Sequence, residues 1–330
     1  MATPPVSTDH RIAYLGPPGT YSYLAARQQF PGGPDGVLVP YEHLGEVIDA
    51  VAAGDCAHGV VPYENSTYGS VLTTLDALKR TDPARLQITH EVILRIEHAL
   101  LTAAPSLDRV TSVYSHPQGL GQCMAWLRKH VPHAAYREAS STAAAAALAA
   151  EAPATRAAIA HPSASAASGL PVFASPISDR ADNQTRFLVI HHVASAPSRG
   201  AAGGVRPPAA TAAVAAAPPS PLPTASEDRR SLLLFTVDHA VPGALCRILA
   251  LLATAKINIT QLDTRPSGRT PWEYVFFAEV QAHAVDPAMQ DVMAQATAMD
   301  VAIQSFGSYR SLRGPAPSSS PPSPARRGPP

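Results

Sequence analysis

Between residues 194 and 228 the chain is built almost wholly of Ala, Pro, Gly and Ser, with almost nothing large enough to bury. A segment that cannot bury apolar surface cannot offset the entropy lost on ordering it. The stretch is therefore expected to be a linker, semi-extended where Pro is dense, and it divides the chain into two folding units. With 330 residues the chain exceeds one average domain, and each side of the linker is long enough to close a core. The tail from about residue 311, rich in Pro, Ser and Arg, is expected to be disordered.

Before the linker, short β-rich runs alternate with helical patterns. The strands are read at 12–15, 59–61, 110–114, 157–160 and 188–190, and the helices at 23–30, 70–79 and 119–130. The alanine run 143–150 follows Ser140-Ser141-Thr142, a good N-cap, and reads as an ordinary helix. Strand–helix alternation predicts an α/β unit of parallel strands joined by crossover helices, and such sheets bind ligands beyond the carboxyl ends of their strands. After the linker the order is strand 232–237, helix 242–255, strand 257–262, strand 273–280, helix 287–298 and strand 301–306. This βαββαβ order is the ferredoxin-like pattern.

Bulk chemistry removes several function classes. Lys plus Arg and Asp plus Glu number 25 each, and no basic block is interleaved with aromatics, so a nucleic-acid surface has no electrostatic basis. Cys56, Cys123 and Cys246 are odd in number and share no metal-ligand spacing with one another or with histidine pairs. They are read as reduced thiols packing as small hydrophobes, with no metal site. No apolar run reaches the length of a membrane span and the first ten residues hold no signal-peptide core, so the expectation is a soluble cytoplasmic protein without a membrane partner.

Four polar stretches follow predicted strands. Asp182-Asn183-Gln184-Thr185-Arg186-Phe187 sets a hydroxyl, an amide and a guanidinium at the mouth of a buried strand, which alone reads either as equipment for gripping a small oxygen-rich anion or as a loop end on a solvated edge. Gly16-Pro17-Pro18-Gly19-Thr20-Tyr21-Ser22 lies between strand and helix, where backbone N–H groups and the helix dipole favour an anion; it reads as a carboxylate-binding turn or simply as a tight turn with an N-cap. The stretch from Val61 through Glu64, Asn65 and Ser66 to Ser70 puts an acid, an amide and hydroxyls after a strand and reads either as a capped loop or as a site. Tyr114-Ser115-His116-Pro117-Gln118 through Gln122-Cys123 repeats the arrangement, with His116 either a general base or a loop histidine bonded to backbone.

Together these stretches, in this order and at this spacing, resemble the prephenate dehydratase family. Residues 230–310, with Pro242-Gly243-Ala244-Leu245 and Asp263-Thr264-Arg265-Pro266, resemble the ACT domain that follows this enzyme and binds phenylalanine, where the second stretch is usually Glu-Ser-Arg-Pro. The resemblance implies a catalytic unit over 11–191 folded as two lobes like a type II periplasmic binding protein, about 11–100 plus 180–191 and 101–179. A linker 192–229, the ACT unit 230–310 and the tail 311–330 complete the chain. It implies the decarboxylating dehydration of prephenate to phenylpyruvate in phenylalanine biosynthesis, with no cofactor. Two alternatives are arogenate as substrate and a non-catalytic phenylalanine sensor. By the same resemblance Thr185 hydrogen-bonds the leaving hydroxyl, and Asn65, Ser115 and Gln122 bind substrate with Glu64 and Thr20. Arg186 either pairs with a substrate carboxylate or locks the two lobes together. Phenylalanine, the allosteric inhibitor, is expected at Gly243, Ala244, Leu245, Asp263 and Thr264, where ACT domains pair in a homodimer or homotetramer. Because the active-site motifs precede residue 191, the catalytic unit is expected to work without the ACT unit.

Overall fold

The computed structural model describes residues 10–31, 37–194 and 229–313; residues 195–228 of the expected linker, and all of the expected tail beyond residue 313, lie outside the described residues. The linker's expected end residues, His192 and Arg229, belong to strands. The first sheet starts at β1 (Ile12–Leu15), whose three leading residues are buried. Helix α1 (Tyr21–Gln29) follows, then β2 (Leu38–Tyr41), α2 (Leu44–Ala53) and β3 (His58–Asn65). Helix α2 buries Val47, Ile48, Ala50 and Val51, an amphipathic face at helical spacing. A short strand β4 (Gly69–Ser70) folds back on β3, and α3 (Leu72–Leu78) and β5 (Leu86–Arg95) lead out of the lobe.

Residues 96–98 carry the chain into a second sheet. It contains β6 (Ala99–Leu101), β7 (Ser112–Ser115), α4 (Pro117–Gln122), α5 (Met124–His130), β8 (Ala135–Glu138), α6 (Thr142–Ala150), β9 (Arg156–Ala160), α7 (Ala164–Ser168) and β10 (Val172–Ala174), and its strand order is β10-β6-β9-β7-β8. The alanine run does form a helix, with Ser141 accepting from the Ala144 N–H at 3.0 Å. Its small buried face, Ala145, Ala146 and Ala149, packs with Leu101 and Leu170.

The chain then returns as β11 (Gln184–His192), inserted between β3 and β5 in the order β2-β1-β3-β11-β5. Here the all-parallel expectation is corrected. Strands β1 and β3 are parallel, but β11 is antiparallel to both of its neighbours. The lobe is left at the end where β5 stops, so the one strand that re-enters there must run the opposite way. The two crossings lie side by side, with the Ile96 N–H donating to the Asn183 carbonyl at 2.8 Å and the Ile177 N–H to the His98 carbonyl at 2.9 Å.

The C-terminal unit is β12 (Arg229–Phe235), α8 (Ala244–Thr254), β13 (Ile259–Pro266), β14 (Tyr274–Val280), α9 (Pro287–Thr297) and β15 (Ile303–Arg310), with an antiparallel sheet ordered β13-β14-β12-β15. One face, with Leu233, Phe235, Phe276 and Ala278, carries the two helices. The other face does not end in solvent. Leu232, Leu234, Val275, Phe277 and Phe306 share one core with Val47, Leu75, Leu86, Ile88 and Leu188 of the first lobe. The approach is close enough that a Cβ on Gly307 of β15 would stand 2.5 Å from the Ile88 carbonyl oxygen of β5. The start of the expected tail is also fixed. Ser311 is buried and its hydroxyl donates to Glu91 at 3.2 Å, so residues 311–313 belong to the packed molecule because Glu91 gives them a buried acceptor.

Candidate active site

A cleft of about 1090 Å³ opens between the two sheets, beyond the carboxyl ends of β1 and β3, where open α/β sheets place their ligands. Asn65 and Thr185 form its floor. The Asn65 side-chain N–H₂ donates to Thr185 Oγ1 at 2.9 Å, to Asn183 Oδ1 at 2.9 Å and to the Gln184 carbonyl at 3.1 Å. Its Oδ1 accepts from the backbone N–H groups of Thr67 and Tyr68. The amide is thus held in one orientation by the loop on one side and by Asn183 on the other. Since Asn65 donates into the threonine oxygen, the Thr185 O–H hydrogen is not used in that contact, and Thr185 borders the cleft.

Thr20 caps α1: Oγ1 accepts from the Tyr23 N–H at 3.2 Å and donates to the Leu15 carbonyl at 2.8 Å. Tyr21 and Ser22 of that first turn also border the cleft, as do Ser141 and Thr142 at the start of α6 in the other lobe. Two helix N-termini from opposite lobes therefore face one space with their positive dipole ends.

Gln122 borders the cleft from α4. Its Oε1 lies 2.6 Å from His98 Nε2, and because an amide oxygen only accepts, His98 carries its hydrogen on Nε2. The Gln122 N–H₂ is then turned away from His98. His98 Nδ1 lies 3.2 Å from the hydroxyl of Tyr21, which donates to the Glu97 carbonyl at 2.6 Å. His98 is 2% exposed, and burial holds its pKa below the ordinary histidine range against the opposing effect of Gln122, so the neutral ring is the resident form. His116 caps α4 through Nδ1, which accepts from the Gln118 N–H at 3.3 Å. It also borders the cleft, and burial lowers its pKa as well.

Three residues expected at the substrate lie elsewhere. Ser115 is fully buried, and its Oγ donates to the Ile159 carbonyl at 2.8 Å; Gly119 of α4 lies against it, and a Cβ there would fall 2.5 Å from Ser115 Oγ. Arg186 and Glu64 do not border the cleft, and among the described residues no Lys or Arg does. The reason is strand alternation: Arg186 follows Thr185 and Glu64 precedes Asn65, so both side chains leave the opposite face of the sheet. There Arg186 binds Glu64 at 3.1 Å, Glu91 at 3.2 Å and Glu279, and its guanidinium lies 4.6 Å over the Tyr63 ring. It therefore joins the first lobe to the C-terminal unit, rather than holding substrate or bridging the two lobes.

The expected phenylalanine ligands divide in the same way. Gly243 caps α8 with φ 76°, and Ala244 and Leu245 begin the helix. Thr264 pairs with Phe276 and Asp263 with Phe277. Phe276 faces the helices and Phe277 the first lobe, so Thr264 lies on the helix-bearing face and Asp263 on the other, where it accepts from Ser70 Oγ at 2.8 Å. Asp263 leaves the group for that reason.

Sequence reading missed Asn183, His98 and Tyr21. Asn183 stood inside a quoted stretch, but nothing local says that its amide oxygen meets Asn65. His98 and Tyr21 come from segments 77 residues apart, and only the fold brings them to Gln122.

The family model for prephenate dehydratase matches residues 12–195, and that for the ACT domain matches residues 231–296. The chain is 36% identical over 300 residues to a bifunctional chorismate mutase/prephenate dehydratase of Stutzerimonas stutzeri, covering 91% of this chain and 73% of that protein. It is 34% identical over 284 residues to a prephenate dehydratase of Amycolatopsis methanolica, covering 86% and 83%. A prephenate dehydratase from Arthrobacter aurescens, solved in complex with L-Phe, superposes with a TM-score of 0.73 at 29% identity, covering 91% of this chain and 89% of that one. The two-lobed unit is of the type II periplasmic-binding-protein kind, the four-stranded unit is an ACT domain, and the chain belongs to the prephenate dehydratase family.

Proposed function

We propose that the chain converts prephenate to phenylpyruvate, with loss of water and carbon dioxide, in phenylalanine biosynthesis. The observation that carries the reading is the Asn65–Thr185 contact, which leaves the threonine hydrogen free to be donated into the cleft. In prephenate the electrons of the ring-to-carboxylate bond move into the ring as carbon dioxide departs, and the ring becomes aromatic as the carbon–oxygen bond at the opposite ring carbon breaks. The departing hydroxide takes up a proton as water. No electron or group carrier enters that balance, so no cofactor is proposed. Aromatisation supplies the driving force, and the protein has to hold a dianion in place and help the hydroxide depart.

Thr185 is assigned to the leaving oxygen. A threonine is too weak an acid to be deprotonated outright, so its contribution is a hydrogen bond that strengthens as charge develops on the oxygen. Gln122, oriented by His98, and the N-termini of α1 and α6 are assigned to the carboxylates and the keto group. Donors of this kind suit a dianion in a cleft that Lys and Arg do not border.

Phenylalanine is proposed to bind the ACT unit at Gly243, Ala244, Leu245 and Thr264 and to inhibit, with a reciprocal coupling of about 1–3 kcal/mol. Pairing of ACT units into a homodimer or homotetramer is supported by the exposed Val241 and Leu262 and by Trp272, which is 85% exposed. Among the described residues no helix is long and apolar enough to cross a membrane, and a cytoplasmic location fits the pathway. The test is turnover by the purified full chain with prephenate and with arogenate, followed by phenylalanine titration. Phenylpyruvate from prephenate is the expected product, and turnover of neither substrate would overturn the reading.

A further inference from the structure

Strand register links the cleft to the ACT unit. The β3–β11 ladder sets Thr185 opposite Asn65 and Arg186 opposite Glu64. One step of the ladder therefore presents the Asn65–Thr185 pair to the cleft, and the adjacent step presents the Glu64–Arg186 pair to the ACT unit. Both steps are closed by side-chain bonds, at 2.9 Å and 3.1 Å. The register shifts immediately after Arg186. The extra residue is Tyr63 on β3, and the ladder to β5 stays in register from Gln184 to Val189. On the β3 side, where the bulge interrupts the backbone ladder, the side-chain anchors therefore supplement the backbone in placing this end of β11.

Those anchors belong in part to the ACT unit. Arg186 Nη1 donates to Glu279 of β14 as well as to Glu91, and Nη2 donates to Gln261 of β13 at 2.9 Å as well as to Glu64. Glu279 is itself fixed, accepting from the Tyr309 hydroxyl at 2.8 Å and from Thr260 at 2.7 Å. Gln261 continues the chain, donating through Nε2 to Ser70 Oγ at 2.8 Å, and Ser70 borders the cleft. Arg186 is 4% exposed and Glu279 0%. Burial alone would lower the arginine's pKa, but Glu279, Tyr309, Tyr63 and Glu91 outweigh it and hold the pKa above the ordinary arginine value. At such low exposure the charges are poorly screened by solvent, so a change at Glu279 is felt at Arg186 with little attenuation.

We propose that Arg186 is a positioning residue for the reaction: held by Glu279 of the ACT unit and by Glu64 beside Asn65, it fixes the end of β11 on which Thr185 stands, so the seating of the ACT unit is part of the active-site geometry. The inference rests on the dehydratase reading of the cleft. It assigns Glu279, which does not border the cleft, a measurable effect on turnover. Misplacement of a reacting group by a fraction of an ångström to about 1 Å reduces rate far more than it reduces binding.

The test is steady-state kinetics of the full chain carrying Glu279→Gln, which keeps the shape and the acceptor for Tyr309 but removes the charge facing Arg186. Tyr309→Phe is the milder variant should the first not fold. Assays run well below the unfolding temperature of each variant. The expected result is a loss of about tenfold in kcat, with KM for prephenate moving less than about threefold. A residue that merely holds two units together lowers the unfolding temperature but leaves kcat of the folded protein alone. A folded variant with kcat within twofold of wild type would therefore overturn the inference. Absence of prephenate turnover by the wild type would instead bring down the dehydratase reading, and the inference with it.

Discussion

The hydrogen of one hydroxyl decides the chemistry at the floor of the cleft. Thr185 accepts from Asn65, so replacing it by Val keeps the shape of the strand and removes both the acceptor and the free donor. Asn65 retains Asn183 Oδ1 and the Gln184 carbonyl as partners, so the fold should survive nearly unchanged. We expect Thr185→Val to lower kcat by about 10²–10³, the usual effect of a lost transition-state donor, with Thr185→Ser recovering most of it. A loss under threefold at saturating prephenate would show that the hydroxyl is not the donor. His98 acts one step back. His98→Phe keeps a ring in the buried site but leaves Gln122 Oε1 without its 2.6 Å partner, an unpaired acceptor that costs about 1–3 kcal/mol. The amide then turns, and KM for prephenate should rise more than kcat falls; the reverse split would place His98 in the chemical step.

Elements fix which of these groups can meet. Gly119 is the point where α4 touches Ser115, and a methyl group there stands 2.5 Å from Ser115 Oγ. Ser115 cannot yield, being fully buried and bonded to Ile159, so Gly119→Ala should push α4 and carry Gln118 and Gln122 with it. A fall in kcat/KM of about tenfold or more is expected from such a displacement, and unaltered kinetics would mean that α4 does not set the site. Where β3 begins beside the end of β11, the His58 ring lies tilted against His191 with centroids 4.8 Å apart and against Phe30 at 5.1 Å. Burial, with His191 and His90 nearby, pushes its pKa down to about 4. The folded chain therefore binds fewer protons than the unfolded one between about pH 6.5 and 4, and stability is full above that window and falls as pH drops through it. The unfolding temperature should decline on acidification across this window, and less steeply in His58→Phe; identical slopes would exclude His58 as the cause. Much at this scale was legible. The runs at 12–15 and 157–160 are strands, the Ala run is a capped helix, and βαββαβ is the order of the second unit, because propensity, caps and periodicity are local. Strand β5 was missed because His90, Glu91 and Arg95 interrupt its apolar pattern, and Glu91 is tolerated there only because Arg186 and residues 311–312 meet it. The direction of β11 was not legible either, since alternation of side chains is the same whichever way a strand runs.

At the scale of the whole molecule the two units were expected to be separable, and the shared core argues otherwise. Everything that would show this from sequence lies in pairs far apart: Arg186 with Glu279, Asp76 with Arg265 at 2.5 Å, Ser70 with Asp263 at 2.8 Å. Alone, each residue reads as a solvated charge or hydroxyl. A chain ended at residue 194 would uncover the lobe-one members of the shared core, among them Leu75, Leu86, Ile88 and Leu188, each at most 1% exposed in the whole molecule. It would also leave Arg186 with Glu64 and Glu91 but without Glu279, Gln261 and Tyr309. Breaking a buried ionic cluster on one side costs about 3–5 kcal/mol, a large part of the stability of an ordinary domain, and the uncovered apolar face favours association. The truncated chain is expected to be aggregation-prone, with a melting transition broadened or lost. Any soluble fraction should turn over prephenate at least about tenfold more slowly than the full chain, since Thr185 stands on the strand that has lost its anchors in the ACT unit. Adding the separate segment 229–313 in excess should restore turnover, as mass action favours the state in which the two faces meet. A soluble, cooperatively folding 1–194 fragment with undiminished kcat would refute the shared core and return the two units to independence.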